Sequence, residues 1–507
     1  LKPASEWVIA ADPGTPRPPF RFAPEDERLL DEVQRAAFWY LWRCADPVTG
    51  MCYDRSSVTF ASVAGVGFQL AAIPGAAERG WITRDEGRAR ALSILKALEA
   101  EPTNRKAGLF YHFLDGRTAR PIDNDVVSTI DSALLLAGVL VAGQYFCGEV
   151  REVGDRLFEG ADWSFFVLRT PQRHEPYLKD YVSLGWRPRS FKADPTGEGR
   201  LSPYAWADAG DEQRLVALLA CAAPREERRV GPENYYRLRR TLGEHASADG
   251  GRAAPHCWFP FSGALFTDVF AHCFIDYAHQ GPDDPARAGV ERRPKVDWWE
   301  NSRRAVDLHR AKAREAGAAG VPTLGEHAWG LTACDAAKGY SVPGVFPRRI
   351  PTEGEVPQVD FPTFVPKDDF NGGTVAPYGA GCAVMFQPGP AVAALRHYRG
   401  LKGPDGSPLV WRDPGANGET GEYGFRDSFN LGTGWVAPDY VAIDQGPLVL
   451  AIENARTGVV WKLFQAHPAV QGAWGRLGWA QPTPTAKPPS AQPVGLAPGA
   501  PAPESGR

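Results

Sequence analysis

YVAIDQGPLVLAIENARTGVVWKLF, residues 440–464, is a near-continuous apolar run that opens on a carboxylate, Asp444, just before a Gly446-Pro447 break. Its length and period predict a buried helix over 444–465. Two more apolar helices begin with an acid: Asp131 heads DSALLLAGVLVAGQYF and Glu212 heads EQRLVALLACAA, while Asp335 closes WGLTACD before a glycine-containing turn. A helix N-terminus carries free N–H groups and a partial positive charge, so a carboxylate there is stabilised, and a sugar hydroxyl meets donors and acceptors together. Four acids at the ends of apolar segments point to one shared pocket.

The same periodicity predicts about a dozen helices, over 25–44, 57–79, 83–100, 126–147, 150–166, 209–222, 231–243, 264–280, 296–316, 373–386, 388–400 and 444–465. Thr83 with Asp85 and Glu86, and Pro24 with Glu25 and Asp26, supply start signals for two of them. Strand signals are sparse. Twelve helices in sequence-adjacent pairs is the count of an all-α (α/α)6 toroid, whose six parallel inner helices bring their N-termini to one mouth. At 507 residues the length prior favours several domains. The helical runs continue without a long linker from 25 to about 475, which favours one catalytic domain. Residues 1–24 read as a proline-rich extended arm, and 476–507 as a Pro/Ala-rich tail that buries too little apolar surface to offset its ordering entropy.

Net charge is −4 and no Lys/Arg block is long, which argues against nucleic acid and polybasic membrane contacts and for an uncharged partner. The eight cysteines include no C-x-x-C pair, and most stand in apolar surroundings as buried thiols; Cys44 and Cys52 are the close pair. No H-E-x-x-H, G-x-G-x-x-G or G-x-S-x-G is completed, so neither a catalytic metal nor a cofactor is expected. The apolar run around Leu134–Val141 is too short for a membrane span. The product is expected to be periplasmic or secreted, its leader removed.

VVSTIDSALLLAGVLVAGQYF, the Asp211-Glu212 helix start, WWENSRRA, HAWGLTACD, YGFRDSFNL and DYVAIDQGPLVLAIENARTGVVWKLF, in this order, resemble the bacterial glucoamylase-like domain, the grouping that includes glycoside hydrolase family 144. The resemblance implies an (α/α)6 toroid that hydrolyses β-1,2-glucan internally with inversion. It implies a proton donor at Glu212 and cleft roles for Asp131, Asp335 and Asp444. The chain departs from the family at Asp268-Val269-Phe270-Ala271-His272, at Gln213-Arg214 and at Ala376-Pro377, all on the cleft side.

Local chemistry offers each acid a structural alternative: a first-turn acid for Glu212, a capping partner of Ser128 for Asp131, turn acids for Asp335 and Asp444. The candidate sugar contacts are Arg55, His112, Trp186, Trp206, His272, His327, Trp329, Tyr378 and Tyr440, since aromatics stack on sugar faces and histidines bond hydroxyls, though either can equally be core. An exo-acting hydrolase, a transglycosylase and a non-catalytic glycan binder are the alternatives to an endo-hydrolase.

Overall fold

A computed structural model describes residues 3–245, 254–352 and 372–479. Among these residues are fourteen α-helices: α1 (Pro24–Arg43), α2 (Val63–Glu78), α3 (Arg84–Ala100), α4 (Thr129–Phe146), α5 (Gly148–Gly160), α6 (Asp211–Ala222), α7 (Glu233–Arg237), α8 (Tyr277–Gln280), α9 (Trp298–Ala318), α10 (Pro377–Cys382), α11 (Pro388–Gly400), α12 (Ala442–Arg456), α13 (Val459–Gln465) and α14 (Pro468–Leu477). They form an α/α toroid. Helices α2, α4, α6, α10 and α12 are buried nearly all round, as befits an inner ring; α1, α3, α5, α9 and α11 bury only one stripe and lie outside. Helix α4 has the length and hydropathy of a membrane span, but 83% of it is buried inside the protein.

Close packing of the ring depends on glycine. A Cβ on Gly138 of α4 would sit 1.9 Å from the Gly67 carbonyl of α2, and one on Gly446 of α12 would sit 2.3 Å from the Phe68 Cβ. The glycine of the Gly446-Pro447 step is therefore a packing device. The expected break there is absent: α12 runs through Pro447, and the predicted 444–465 helix divides instead at Gly458, which takes φ +67° to start α13.

Two other expected helices are mostly something else. Over 264–280 the inner ring is built from two 3-10 turns, Leu265–Asp268 and Ala271–Cys273, followed by the short α8. The cause is distant in sequence: the Asp211 carboxylate takes both the backbone N–H of His272 at 3.0 Å and its ring nitrogen at 2.9 Å. Over 231–243 only five residues are helical before the chain extends into a strand, Leu242–Glu244, with Arg239 and Arg240 anchored on Asp208 and Asp283.

Short strands in the loops tie the inner helix starts together. Ser62, before α2, pairs with Phe113; Ser128, before α4, pairs with Gly185; Val441, before α12, bridges to Arg55. The arm lies on the body: Ile9 bridges Val296, and Arg17 pairs with Asp297 and stacks on Trp299. At the other end the body reaches past 475, because Tyr236 donates to the Leu477 carbonyl and accepts from the Trp479 indole. The expected tail from 480 onward, and the 353–371 part of the long 317–372 connection, fall outside the described residues.

Candidate active site

Glu212 stands in the first turn of α6, 9% exposed, and its carboxyl is held well above the usual range by burial first and then by the charges of Asp131 and Asp211. Asp211, the preceding residue, is driven the other way: burial pushes it up, but His272 and Arg214 more than offset this and leave it lowered. Arg214 is itself buried, pairing with Asp211 at 2.5 Å and lying over the rings of Trp298 at 3.9 Å and Tyr277 at 4.7 Å. Helix α6 thus starts with one locked carboxylate facing the core and one carboxyl of raised proton affinity at the mouth.

Asp131, 8% exposed, caps α4 with Ser128: the Ser128 hydroxyl donates to its carboxylate and accepts its backbone N–H at 3.3 Å. The capping alternative is thus realised, and the carboxylate still faces the mouth, 3.7 Å from His112 Nε2. His112 in turn acts on Asp54, and Asp54 contacts Arg55 at 3.4 Å. Arg55 closes the series by binding both oxygens of Asp335 at 3.0 Å. Asp335 lies in a two-stranded hairpin, Cys334–Ala336 against Gly339–Ser341. Its N–H donates to Asp427 Oδ2 at 2.7 Å, and its carbonyl accepts the Ser428 hydroxyl. Behind it Asp444, 1% exposed, faces Asp427, 2% exposed.

The four acids read from the sequence therefore converge on one mouth, with Arg55 and His112 between them. Asp444 differs from the expectation in depth, since it is sealed beneath the floor. Trp206 is half-buried at the same mouth, its indole donating to Thr129 at 2.7 Å.

Six of the expected sugar contacts are corrected by the structure. Trp329 is fully buried, with its backbone held by Tyr398. Tyr378 is buried with its hydroxyl on Thr332 and the Ala333 carbonyl, Tyr440 is buried with its hydroxyl on Glu422, and His272 is consumed by Asp211. Trp186 is buried in the sheet beside Ser128, under Lys106. His327 is exposed, but its ring stands beside His397 on the outer helix α11 rather than among the acids. The other five sit where large side chains usually go, in packed surroundings.

Sequence reading missed Asp427, Asp54 and Tyr340. Asp427 was within reach, because it lies in YGFRDSFNL, but it opens no helix. Tyr340 faces Asp335 across the hairpin and is 49% exposed, while its hydroxyl is pushed well up by burial and by Asp444 and Asp427. It offers a ring at the edge of the acid floor. No group of three or more His, Cys, Asp or Glu among the described residues is arranged to hold a metal.

The fold places the chain in the class of α/α toroids, with acids gathered on one side of the ring. The Glycoamylase family model (Putative glucoamylase) matches residues 203–468, more than half of the chain, and the chain belongs to that family. A second model, of a family of unknown function (DUF3131), matches 32–131. The exo β-1,2-glucooligosaccharide sophorohydrolase (non-reducing end) of Parabacteroides distasonis is 29% identical over 480 residues, 88% of this chain; the chain spans only 57% of that relative's length. The β-1,2-glucanase structure from P. distasonis superposes with a TM-score of 0.68 at 25% identity, covering 90% of this chain and 60% of that one. The endo-β-1,2-glucanase of Chitinophaga pinensis, solved with sophorotriose and glucose, has a TM-score of 0.68 at 22% identity over 90% and 99% of the two chains, a likeness of fold.

Proposed function

We propose that this protein is a glycoside hydrolase that cleaves β-1,2-linked glucan internally and with inversion, with Glu212 as the general acid. The observation that carries the reading is the setting of Glu212: a carboxyl whose proton affinity is raised by burial and by two neighbouring carboxylates, at the mouth where Asp131 and Asp335 also stand. Hydrolysis needs one carboxylic acid to protonate the leaving oxygen and a second carboxylate to take a proton from water. Glu212 suits the first task. Asp335 suits the second better than Asp444, because it forms an ion pair with Arg55 and keeps an opening to the mouth, whereas Asp444 is sealed. The contacts that link the two run through Asp131, His112, Asp54 and Arg55, which supports the wider spacing of an inverting pair.

Substitution Glu212→Gln keeps shape and hydrogen bonding but removes the transferable proton. It is expected to lower turnover of linear β-1,2-glucan by roughly a hundredfold or more while the fold persists by circular dichroism. Retained turnover would reassign the acid. A second reading, exo action, is favoured by the exo-acting relative from P. distasonis. Early product size separates them: mixed oligosaccharides mark internal cleavage, and a disaccharide alone marks exo action. Linear β-1,3-, β-1,4- and α-1,4-glucans in parallel test the linkage.

A further inference from the structure

Asp427 and Asp444 lie under the hairpin that carries Asp335, 2% and 1% exposed. Asp427 Oδ2 accepts the N–H of Asp335, but its Oδ1 and both oxygens of Asp444 have no hydrogen-bond donor. A carboxylate only accepts, and each buried oxygen without a donor costs on the order of 1–3 kcal/mol, more if charged. Two charged carboxylates in buried contact are costlier still, and a single proton between them removes both penalties. The neighbours supply no positive charge: Arg55 is committed to Asp335 and Asp54, the nearby Tyr378 hydroxyl favours ionised Asp444 but donates to the Ala333 carbonyl, and Cys334, Cys382 and Tyr340 are neutral.

We propose that Asp427 and Asp444 work as one unit with a single proton between them, Asp444 donating to Asp427, and that this unit positions Asp335. The geometry gives the unit its purpose. Residues 427 and 428 grip the backbone of Asp335 from both sides, Asp427 accepting a hydrogen bond from its N–H and the Ser428 hydroxyl donating one to its carbonyl. The grip keeps the Asp335 carboxylate on Arg55. Asp444 is then a positioning residue that never meets substrate. The assignment rests on the reading of Asp335 as the acceptor of the water proton.

Infrared difference spectroscopy at neutral pH reads the shared proton without any substrate. Wild type minus Asp444→Asn is expected to contain one protonated-carboxyl band. Wild type minus Asp427→Asn is expected to show that band shifted rather than lost, because burial still holds the proton on Asp444 while its charged acceptor has become a neutral amide. A band left unshifted by Asp427→Asn, or a stoichiometric calcium or sodium ion bound by the purified protein, would overturn the unit. On β-1,2-glucan, Asp444→Asn is expected to lose no more than about tenfold in kcat, and Asp444→Leu about a hundredfold, as a missing hydrogen bond to a charged group predicts. In Asp444→Leu the acid limb of the kcat profile moves to higher pH, because the bond that lowered Asp427 is gone; in Asp444→Asn it stays. Equal loss in the two variants defeats the positioning role. If the wild type turns over no glucan, the proposed function fails while the spectra still decide the pair.

Discussion

Asp211 and Glu212 are consecutive carboxyls in one helical turn, exposed to the same helix dipole, yet their proton affinities diverge. The dipole cannot separate them, since it lowers both. Partners do: Asp211 faces Arg214 and His272, and Glu212 faces only burial and like charge. Removing one of those like charges tests the account. Asp131→Asn should keep the capping bond from Ser128, lower the proton affinity of Glu212, and move the alkaline limb of the residual kcat profile to lower pH by about one unit. A limb that does not move would free Asp131 of this role. The positions of Glu212, Asp131 and Asp335 were legible in the sequence because each ends an apolar segment, and ends converge when inner helices run parallel. Asp427 and Tyr340 were not, because they reach the floor through loop pairings that no local pattern announces. Trp329, Tyr378 and Tyr440 erred the other way, since an aromatic ring in the core and one in a cleft are spelt alike.

At the scale of elements, what the sequence discloses depends on where the hydrogen bonds go. Helices α1, α3, α4, α6 and α11 fall close to their expected ranges, because each is satisfied by its own backbone and a single apolar pattern. The stretch 264–280 fails to become a helix because a carboxylate 61 residues upstream claims the N–H of His272. Periodicity cannot see such a bond. The Gly446-Pro447 step was read as a break when its glycine lets α12 approach α2, and this has a measurable consequence. Gly446→Ala would push a methyl group into Phe68 Cβ, a neighbour with no rotamer to move away by, and should cost about 1–3 kcal/mol, visible as a lowered apparent Tm. Gly400→Ala, where an added Cβ meets nothing, is the control and should leave Tm nearly unchanged.

For the whole molecule, the gathering of acids at one mouth sets how stability depends on pH. Glu212, Asp268 and Asp444 hold their protons well above the ordinary carboxyl range, chiefly through burial, and Asp427 is raised to about 6. In the unfolded chain these groups titrate near 4. Between that value and their folded values the native state binds more protons than the unfolded one, so stability falls as pH rises through this window. Buried Asp211 and Glu453 behave oppositely: their affinities are lowered in spite of burial, by His272 and Arg214 and by Arg79, so they lose their contribution as pH falls below about 4. The two sets leave a maximum on the mildly acidic side of neutrality. Scanning calorimetry should therefore find a higher apparent Tm at pH 5.5 than at pH 8, and Asp444→Asn, which needs no proton, should flatten the decline. An apparent Tm that rises steadily from pH 5.5 to 8 would mean that these carboxyls are ionised in the native protein, and the raised proton affinity of Glu212 would fall with them.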